Sequence, residues 1–224
     1  MKMGILGTGM IVQDLLTTID KLNIDYLAIL GTERSRQHTE DLATKYNIQK
    51  IYFDYDEMLQ DKNLDTIYVA LPNFLHYSFA KKALQADKNV IVEKPGVTTL
   101  AEFKDLKNLA LEHDKIIVEA MTTHYLPAVQ AIKKDLSKLG AIKIVSMNYS
   151  QYSHRYDAFK AGEILPVFDP KKAGGALMDI NVYNIHFVVG IFGKPDAVFY
   201  TANIERDIDT SGVLTLDYGK FKAV

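Results

Sequence analysis

The sequence predicts an α/β fold: a doubly wound parallel sheet over residues 1–120, then a shorter α+β half over 121–224 built on an open antiparallel sheet. Three observations predict it. Short apolar runs at 3–6, 26–30, 51–53, 66–71, 90–92 and 116–118 alternate with amphipathic stretches, and strict strand–helix alternation is the pattern of parallel sheets with right-handed crossovers. The run Ile67-Tyr68-Val69-Ala70-Leu71 is apolar at every position, as expected of a strand covered on both faces. After residue 120 the texture changes to alternating half-polar runs and one long loop.

Each element follows in order. Ile11, Leu15 and Ile19 recur at four-residue spacing, and Leu100, Phe103, Leu106 and Ala110 form a second helical stripe. Asp65, Asp87 and Asp114 precede apolar runs and mark turns into strands. Val129, Ile132, Leu136 and Leu139 share a helix face that Gly140 would end. Residues 142–149 alternate like a half-exposed strand, and 151–174 read as a long loop, a length usually tied to function. Residues 179–192 read as a helix closed by Gly193 and Pro195, followed by strands at 197–204, 213–218 and 221–224, the last two joined near Gly219.

Composition narrows the function. The 224 residues carry 26 basic and 28 acidic side chains for a net charge of −2, which gives no electrostatic case for nucleic acid or an anionic membrane. Without cysteine, thiolate catalysis and cysteine-bound metals are excluded. Histidines at 38, 76, 113, 124, 154 and 186 show no ligand-like spacing, so no metal is expected. The uncharged run 180–193 is shorter than the ~18 residues of a membrane span, and the first residues lead straight into a strand without a leader pattern. The expectation is a cytoplasmic protein with a small-molecule substrate.

The chemistry starts at Gly7-Thr8-Gly9-Met10-Ile11-Val12, which follows the first strand and opens the first helix. Such a loop cradles a dinucleotide pyrophosphate: the first glycine turns tightly, the second lets backbone approach the phosphates, and the helix start offers N–H groups. Val12 stands where a third glycine is usual, so the helix should sit slightly farther from its strand there. A ligand-free tight turn is the bland alternative. At the end of the second strand, where an acidic side chain would read the ribose 2′-OH, the chain has Gly31-Thr32-Glu33-Arg34-Ser35-Arg36. Glu33 lies later than expected, Thr32, Arg34 and Ser35 could cradle a 2′-phosphate, and simple solvation of the next helix is as plausible. NAD and NADP both stay open, with a lean to NADP.

Three further segments accumulate: Leu71-Pro72-Asn73-Phe74-Leu75-His76, then Glu93-Lys94-Pro95, then Gly174-Gly175 through Asp179 and Tyr183 to His186. With the glycine loop, in this order and over essentially the whole chain, they resemble the glucose–fructose oxidoreductase/inositol dehydrogenase (Gfo/Idh/MocA) family. The resemblance implies a Rossmann domain, a C-terminal open sheet with substrate held between the two, and NAD(P)-dependent oxidation or reduction of a carbinol on a sugar, cyclic polyol or dihydrodiol. It assigns Lys94 and Asp179 to the active site and Tyr183 to a position where many members carry histidine. Leu71, Pro72, Asn73, His76, Glu93 and Lys94 would border the cofactor. Members are normally longer, with further strands that complete a dimer surface. A homo-oligomer through the C-terminal sheet is therefore expected, as is an incomplete second domain.

These residue types suit that chemistry. A tyrosine of pKa ~10 needs a nearby cation to act as a base at neutral pH, and Lys94 is a reasonable one. Asp179 and Tyr183, spaced i, i+4, would share a helix face. His186, with intrinsic pKa near neutrality, is the second candidate base. Arg155-Tyr156, with Tyr152 and His154, would suit a hydroxylated substrate, a solvated loop being the default. Plain readings stand beside these: Lys94 as an ordinary lysine before a proline, Tyr183 as a core aromatic, His186 and His76 as structural histidines, and Pro72 and Asn73 as a strand end and helix cap. The competing function is a non-catalytic dinucleotide-binding regulator or an inactive, truncated member.

Overall fold

A computed structural model describes residues 1–224, which divide into two compact units, Met1–Ala120 and Met121–Val224. The first holds a six-stranded, all-parallel sheet in the order β3-β2-β1-β4-β5-β6. Its strands are β1 (Lys2–Leu6), β2 (Tyr26–Leu30), β3 (Lys50–Tyr52), β4 (Thr66–Val69), β5 (Asn89–Val92) and β6 (Ile117–Glu119). The helices between them are α1 (Met10–Leu16), α2 (Arg36–Lys45), α3 (Tyr55–Leu59), α4 (His76–Gln85) and α5 (Leu100–Glu112).

Alternation along each strand builds two core layers. Leu6, Ala28, Leu30, Ile67, Val69 and Val90 pack with residues of α3, α4 and α5, whereas Met3, Ile5, Leu27, Ile29 and Tyr68 pack with Val12, Leu16 and Leu42 of α1 and α2. Each strand is thus apolar on both faces. Helix ends are set by local chemistry: Thr99 and Glu102 form a reciprocal capping box on α5, and Asp54 accepts from the Glu57 N–H at 2.8 Å on α3. Asn47, Asp87 and Asp114 take positive φ where the chain leaves a helix for a strand, a conformation these side chains tolerate.

Two predicted faces hold in part. In α1 Val12 and Leu16 are buried and Ile11 is 45% exposed, whereas Leu15 and Ile19 of the expected stripe do pack on the core; both stripes are apolar, so periodicity does not choose between them. In α5 only Leu106 and Ala110 are buried, and Leu100 and Phe103 in its first turn lie open.

The second unit carries a mixed four-stranded sheet ordered β7-β10-β9-β8, with β7 (Ile144–Val145), β8 (Ala197–Glu205), β9 (Ile208–Asp217) and β10 (Lys222–Ala223). β8–β9 and β9–β10 are antiparallel, whereas β10–β7 is parallel, so the sheet is not wholly antiparallel as expected. β7 is shorter than the 142–149 run because its ladder with β10 spans two residue pairs. β9 begins five residues earlier than expected, because Arg206 and Asp207, both at positive φ, make a two-residue hairpin turn. The helices are α6 (Pro127–Asp135), α7 (Tyr156–Lys160) and α8 (Val182–Phe192), with one turn of π-helix at Leu177–Asn181 leading into α8. By length and composition alone, Pro170–Phe192 is long and apolar enough to cross a membrane, longer than the uncharged run seen in the sequence. The segment 151–174 is not an open loop: Phe159 and Phe168 bury with Ile208 in a small core of their own.

Candidate active site

In the first unit the candidate residues lie at the carboxyl ends of neighbouring strands β1, β2, β4 and β5, the end of an α/β sheet at which ligands bind. Gly7 has φ +102°, and a Cβ there would lie 2.7 Å from the Ala70 carbonyl oxygen, so strand β4 leaves room only for glycine. A Cβ on Gly9 would meet nothing within 4 Å; the backbone there faces open space and can be approached closely. Gly9 is also the N-cap of α1 and brings no side chain to occupy the first-turn amides. Met10 and Ile11 follow it at the exposed helix start, and Val12 is buried in the core in place of a third glycine. The Thr8 carbonyl accepts from Gln13 Nε2 at 3.2 Å and lies 3.2 Å from His38 Nε2. The loop is a preformed cradle, and its residues fit a dinucleotide pyrophosphate.

The segment after β2 resolves the roles of its charges. Gly31 is held to glycine by Thr39, whose Oγ1 would lie 2.2 Å from a Cβ, so no acidic side chain fits at that position. Glu33 is gripped by Arg36 through two bonds of 2.9 and 2.6 Å, and the guanidinium also stacks on Phe53 at 3.8 Å. Thr32 and Ser35 form a capping box with their hydroxyls 3.0 Å apart. Arg34, exposed between them, makes no ion pair within the protein.

The turn that carries Lys94 is fastened on several sides. Tyr68, buried on β4, donates to Glu93 Oε1 at 2.5 Å. Burial, reinforced by that carboxylate, pushes the Tyr68 phenol well above its ordinary pKa. Glu93 Oε2 accepts from the Lys94 N–H at 3.3 Å, and the Gly96 N–H donates to Glu119 Oε1 at 2.8 Å. The Lys94–Pro95 peptide bond is cis. After β4, Leu71 and Pro72 lead into a 3₁₀ turn at Asn73–Leu75, so Asn73 does not cap α4; the cap position is Leu75. His76 is 1% exposed, with Nδ1 2.8 Å from the Pro95 carbonyl and Nε2 2.6 Å from that of Leu71. Its ring is engaged by the carbonyls of two segments that were expected to border the cofactor.

In the second unit Gly174 and Gly175 have separate reasons. A Cβ on Gly174 would lie 2.5 Å from the Val167 carbonyl oxygen, and one on Gly175, at φ +106°, would lie 1.9 Å from Asp209 Oδ1. Asp209 Oδ2 accepts from the Leu177 N–H and from the Tyr200 hydroxyl, each at 2.7 Å. Burial, with this carboxylate second, raises the Tyr200 pKa. Asp209 thereby fixes the start of the π turn that contains Asp179. Asp179 and Tyr183 are consequently not joined by a regular α-helical turn, a correction to the i, i+4 expectation; π turns recur at functional sites. Tyr183 packs its ring 5.5 Å from that of Tyr149. Tyr149 lines a cavity of about 530 Å³ within this unit, together with Ile180, Asn181, Asn184 and Tyr200. His186 Nδ1 lies 3.2 Å from His124 Nε2.

Of the loop aromatics, Tyr156 bonds both Glu205 oxygens at 2.9 Å, and Tyr152 donates to Asp157 at 2.7 Å, so both hydroxyls serve local structure. Sequence reasoning missed Tyr68, Glu119, Asp209, His38 and His124. Only the buried polar Tyr68 inside an apolar strand left a legible signal.

Comparison with known proteins agrees with this geometry. Residues 1–121 match the Gfo/Idh/MocA oxidoreductase family's NAD-binding Rossmann fold, and residues 129–223 match its C-terminal domain. The chain is 33% identical over 226 residues to scyllo-inositol 2-dehydrogenase (NADP(+)) IolU of Bacillus subtilis, covering all of this chain and 68% of that protein. It is 26% identical to mouse trans-1,2-dihydrobenzene-1,2-diol dehydrogenase, covering 97% of this chain and 65% of the relative. A Bacillus cereus oxidoreductase structure superposes with TM-score 0.81 at 25% identity, over the whole chain and 64% of that structure. The fold is shared with the Bordetella pertussis WlbA dehydrogenase solved with NADH and UDP-GlcNAcA, at TM-score 0.84 and 21% identity, over the whole chain and 65% of that one. The chain thus spans about two thirds of the length of these relatives. With both of its units matched in order, the chain belongs to the Gfo/Idh/MocA family of oxidoreductases.

Proposed function

We propose that this chain supplies the nucleotide and substrate machinery of an NADP-preferring oxidoreductase that interconverts a hydroxyl and a carbonyl on a small polyhydroxylated or cyclic substrate. The observation that carries the reading is the open glycine cradle after β1, at the same carboxyl end of the sheet as the clamped turn bearing Lys94. Similarity to the inositol and dihydrodiol dehydrogenases supports the substrate class.

Bound NAD(P) would supply the hydride acceptor or donor; the protein's own task is the proton. In the oxidative direction the substrate hydroxyl loses its proton as the carbinol carbon loses hydride. Tyr183 accepts that proton as phenolate, and the Lys94 ammonium stabilises the developing oxyanion. Asp179 orients a substrate hydroxyl, and His186, backed by His124, is the alternative proton acceptor. The cavity lined by Tyr149, the ring neighbour of Tyr183, joins apolar walls to the polar groups of Asn181, Asn184 and Tyr200, a mixture suited to a cyclic substrate bearing hydroxyls.

NADP is preferred because Arg34 offers a cation, and the Thr32–Ser35 turn a hydroxyl, to a 2′-phosphate, while Glu33, the group that would read a free ribose 2′-OH, is engaged by Arg36. Phe199 and Val213, 61% and 56% exposed on the C-terminal sheet, support assembly of two copies through that sheet. The test is nucleotide binding by fluorescence, followed by a hydride-transfer screen over inositols, aldoses and dihydrodiols. Capture of neither nucleotide by folded protein would overturn the assignment.

A further inference from the structure

We propose that His76 is a positioning residue for Lys94, tying the turn after β5 to the turn after β4; the inference rests on Lys94 acting at the reaction centre. Among the histidines it is the most enclosed, 1% exposed at the first position of α4. Its two ring nitrogens reach carbonyls from two different crevice turns, Leu71 at 2.6 Å and Pro95 at 2.8 Å. A carbonyl oxygen only accepts, so the ring N–H donates to one of the two while the other nitrogen lies against its carbonyl, both donating only in the imidazolium form; in either form the ring is a strut that spans the two segments. Leu71 lies against the glycine loop, its Cδ2 3.5 Å from where a Gly7 Cβ would stand. Pro95 directly follows Lys94 in the chain. One side chain therefore sets the spacing between the backbone that borders the cradle and the backbone that carries the ammonium group.

Tyr68 and Glu119 fasten the same turn by its other two ends, through Glu93 and the Gly96 N–H. Without the His76 strut, the Pro95 carbonyl is a buried acceptor with no donor from α4. Relief comes by movement of the turn, since an unpaired buried polar group is costly. Displacements of about 1 Å at a catalytic group cost about 100-fold in rate.

The test compares His76→Ala, which removes the ring and its donor, with His76→Gln, whose amide keeps N–H donors on a polar side chain. Backbone hydrogen exchange over residues 93–97 is the direct readout. Alanine should raise exchange there while the β4 and β5 strands stay protected, and glutamine should restore protection in part. In turnover, alanine should lower kcat about 10- to 100-fold with the NADP Kd unchanged, and glutamine should regain activity. Should alanine fail to fold, His76→Leu, which keeps bulk without a donor, takes its place: higher exchange at 93–97 in leucine than in glutamine supports the strut, and equal exchange overturns it. Folded alanine protein with unchanged exchange at 93–97 would overturn the proposal. A wild-type protein without turnover would instead overturn the assignment of Lys94, leaving the exchange result to decide the role of His76.

Discussion

Replacing Arg34 by alanine tests the proposed preference for NADP. Its guanidinium is exposed and unpaired in the protein, so the substitution removes no internal contact. The nucleotide contact it would make is a charge-assisted bond to phosphate, worth roughly 1.5–3 kcal/mol in protein settings. Exposure and salt screening place it at the lower end. At about 1.4 kcal/mol per tenfold, the expected loss is roughly 10-fold in NADP affinity, with NAD affinity unchanged. The companion change Arg36→Ala frees the Glu33 carboxylate, held by bonds of 2.9 and 2.6 Å, and should move preference towards NAD. Fluorescence titration with both nucleotides at two ionic strengths reads these effects, the NADP arm of wild type showing the steeper salt dependence. Equal weakening of NAD and NADP by Arg34→Ala would refute the reasoning, since the effect would then not belong to the 2′-phosphate.

The remaining predictions concern chemistry and stability. Lys94→Met should lower kcat about 100- to 1,000-fold while nucleotide affinity is retained, and Tyr183→Phe should behave alike; steady-state kinetics beside nucleotide titration checks both. Gly7→Ala forces a Cβ at φ +102° to within 2.7 Å of the Ala70 carbonyl oxygen, so stability should fall by roughly 1–3 kcal/mol and nucleotide binding should fail; denaturant melts and titration test it. Burial opposes ionisation of Asp61, but bonds from the Asn63 N–H and the Tyr52 and Tyr26 hydroxyls outweigh it and hold the carboxyl below its ordinary value of 3.8. A depressed carboxyl stabilises the fold above its unfolded-state pKa and loses that contribution as pH falls through the folded value. Wild type should therefore exceed Asp61→Asn in stability near neutrality, and the two should converge in acid-unfolding curves as pH falls through the depressed folded-state value. Parallel curves would remove Asp61 from the acid response.

The sheet of the first unit was readable because each strand is apolar on both faces and each crossover is amphipathic, leaving few alternatives. The glycine loop was readable for a similar reason: a tight turn between β1 and α1 admits few residues. The π turn was not. Leu177-Met178-Asp179-Ile180-Asn181 has the composition of any α-helix, and the bond that holds its first N–H comes from Asp209, 32 residues later in the sequence. The start of β9 was hidden for a local reason, since Arg206 and Asp207 adopt positive φ without the glycine or asparagine that normally marks such a turn. His76 was visible as a helix-start residue, but its two carbonyl partners come from segments that only the folded sheet brings side by side. The first turn of α5 shows the converse error: Leu100 and Phe103 fit the stripe and are exposed.

One carboxylate in the second unit reaches into two pieces of architecture at once. Asp209 is the anchor of the residues ahead of Asp179 and also the acceptor for Tyr200 across the β8–β9 ribbon. Anyone transplanting the Gly174–His186 stretch into another scaffold would have to carry the ribbon with it. Insertions or tags placed near the Arg206-Asp207 tip would be felt, through that shared oxygen, at the start of the turn that carries Asp179.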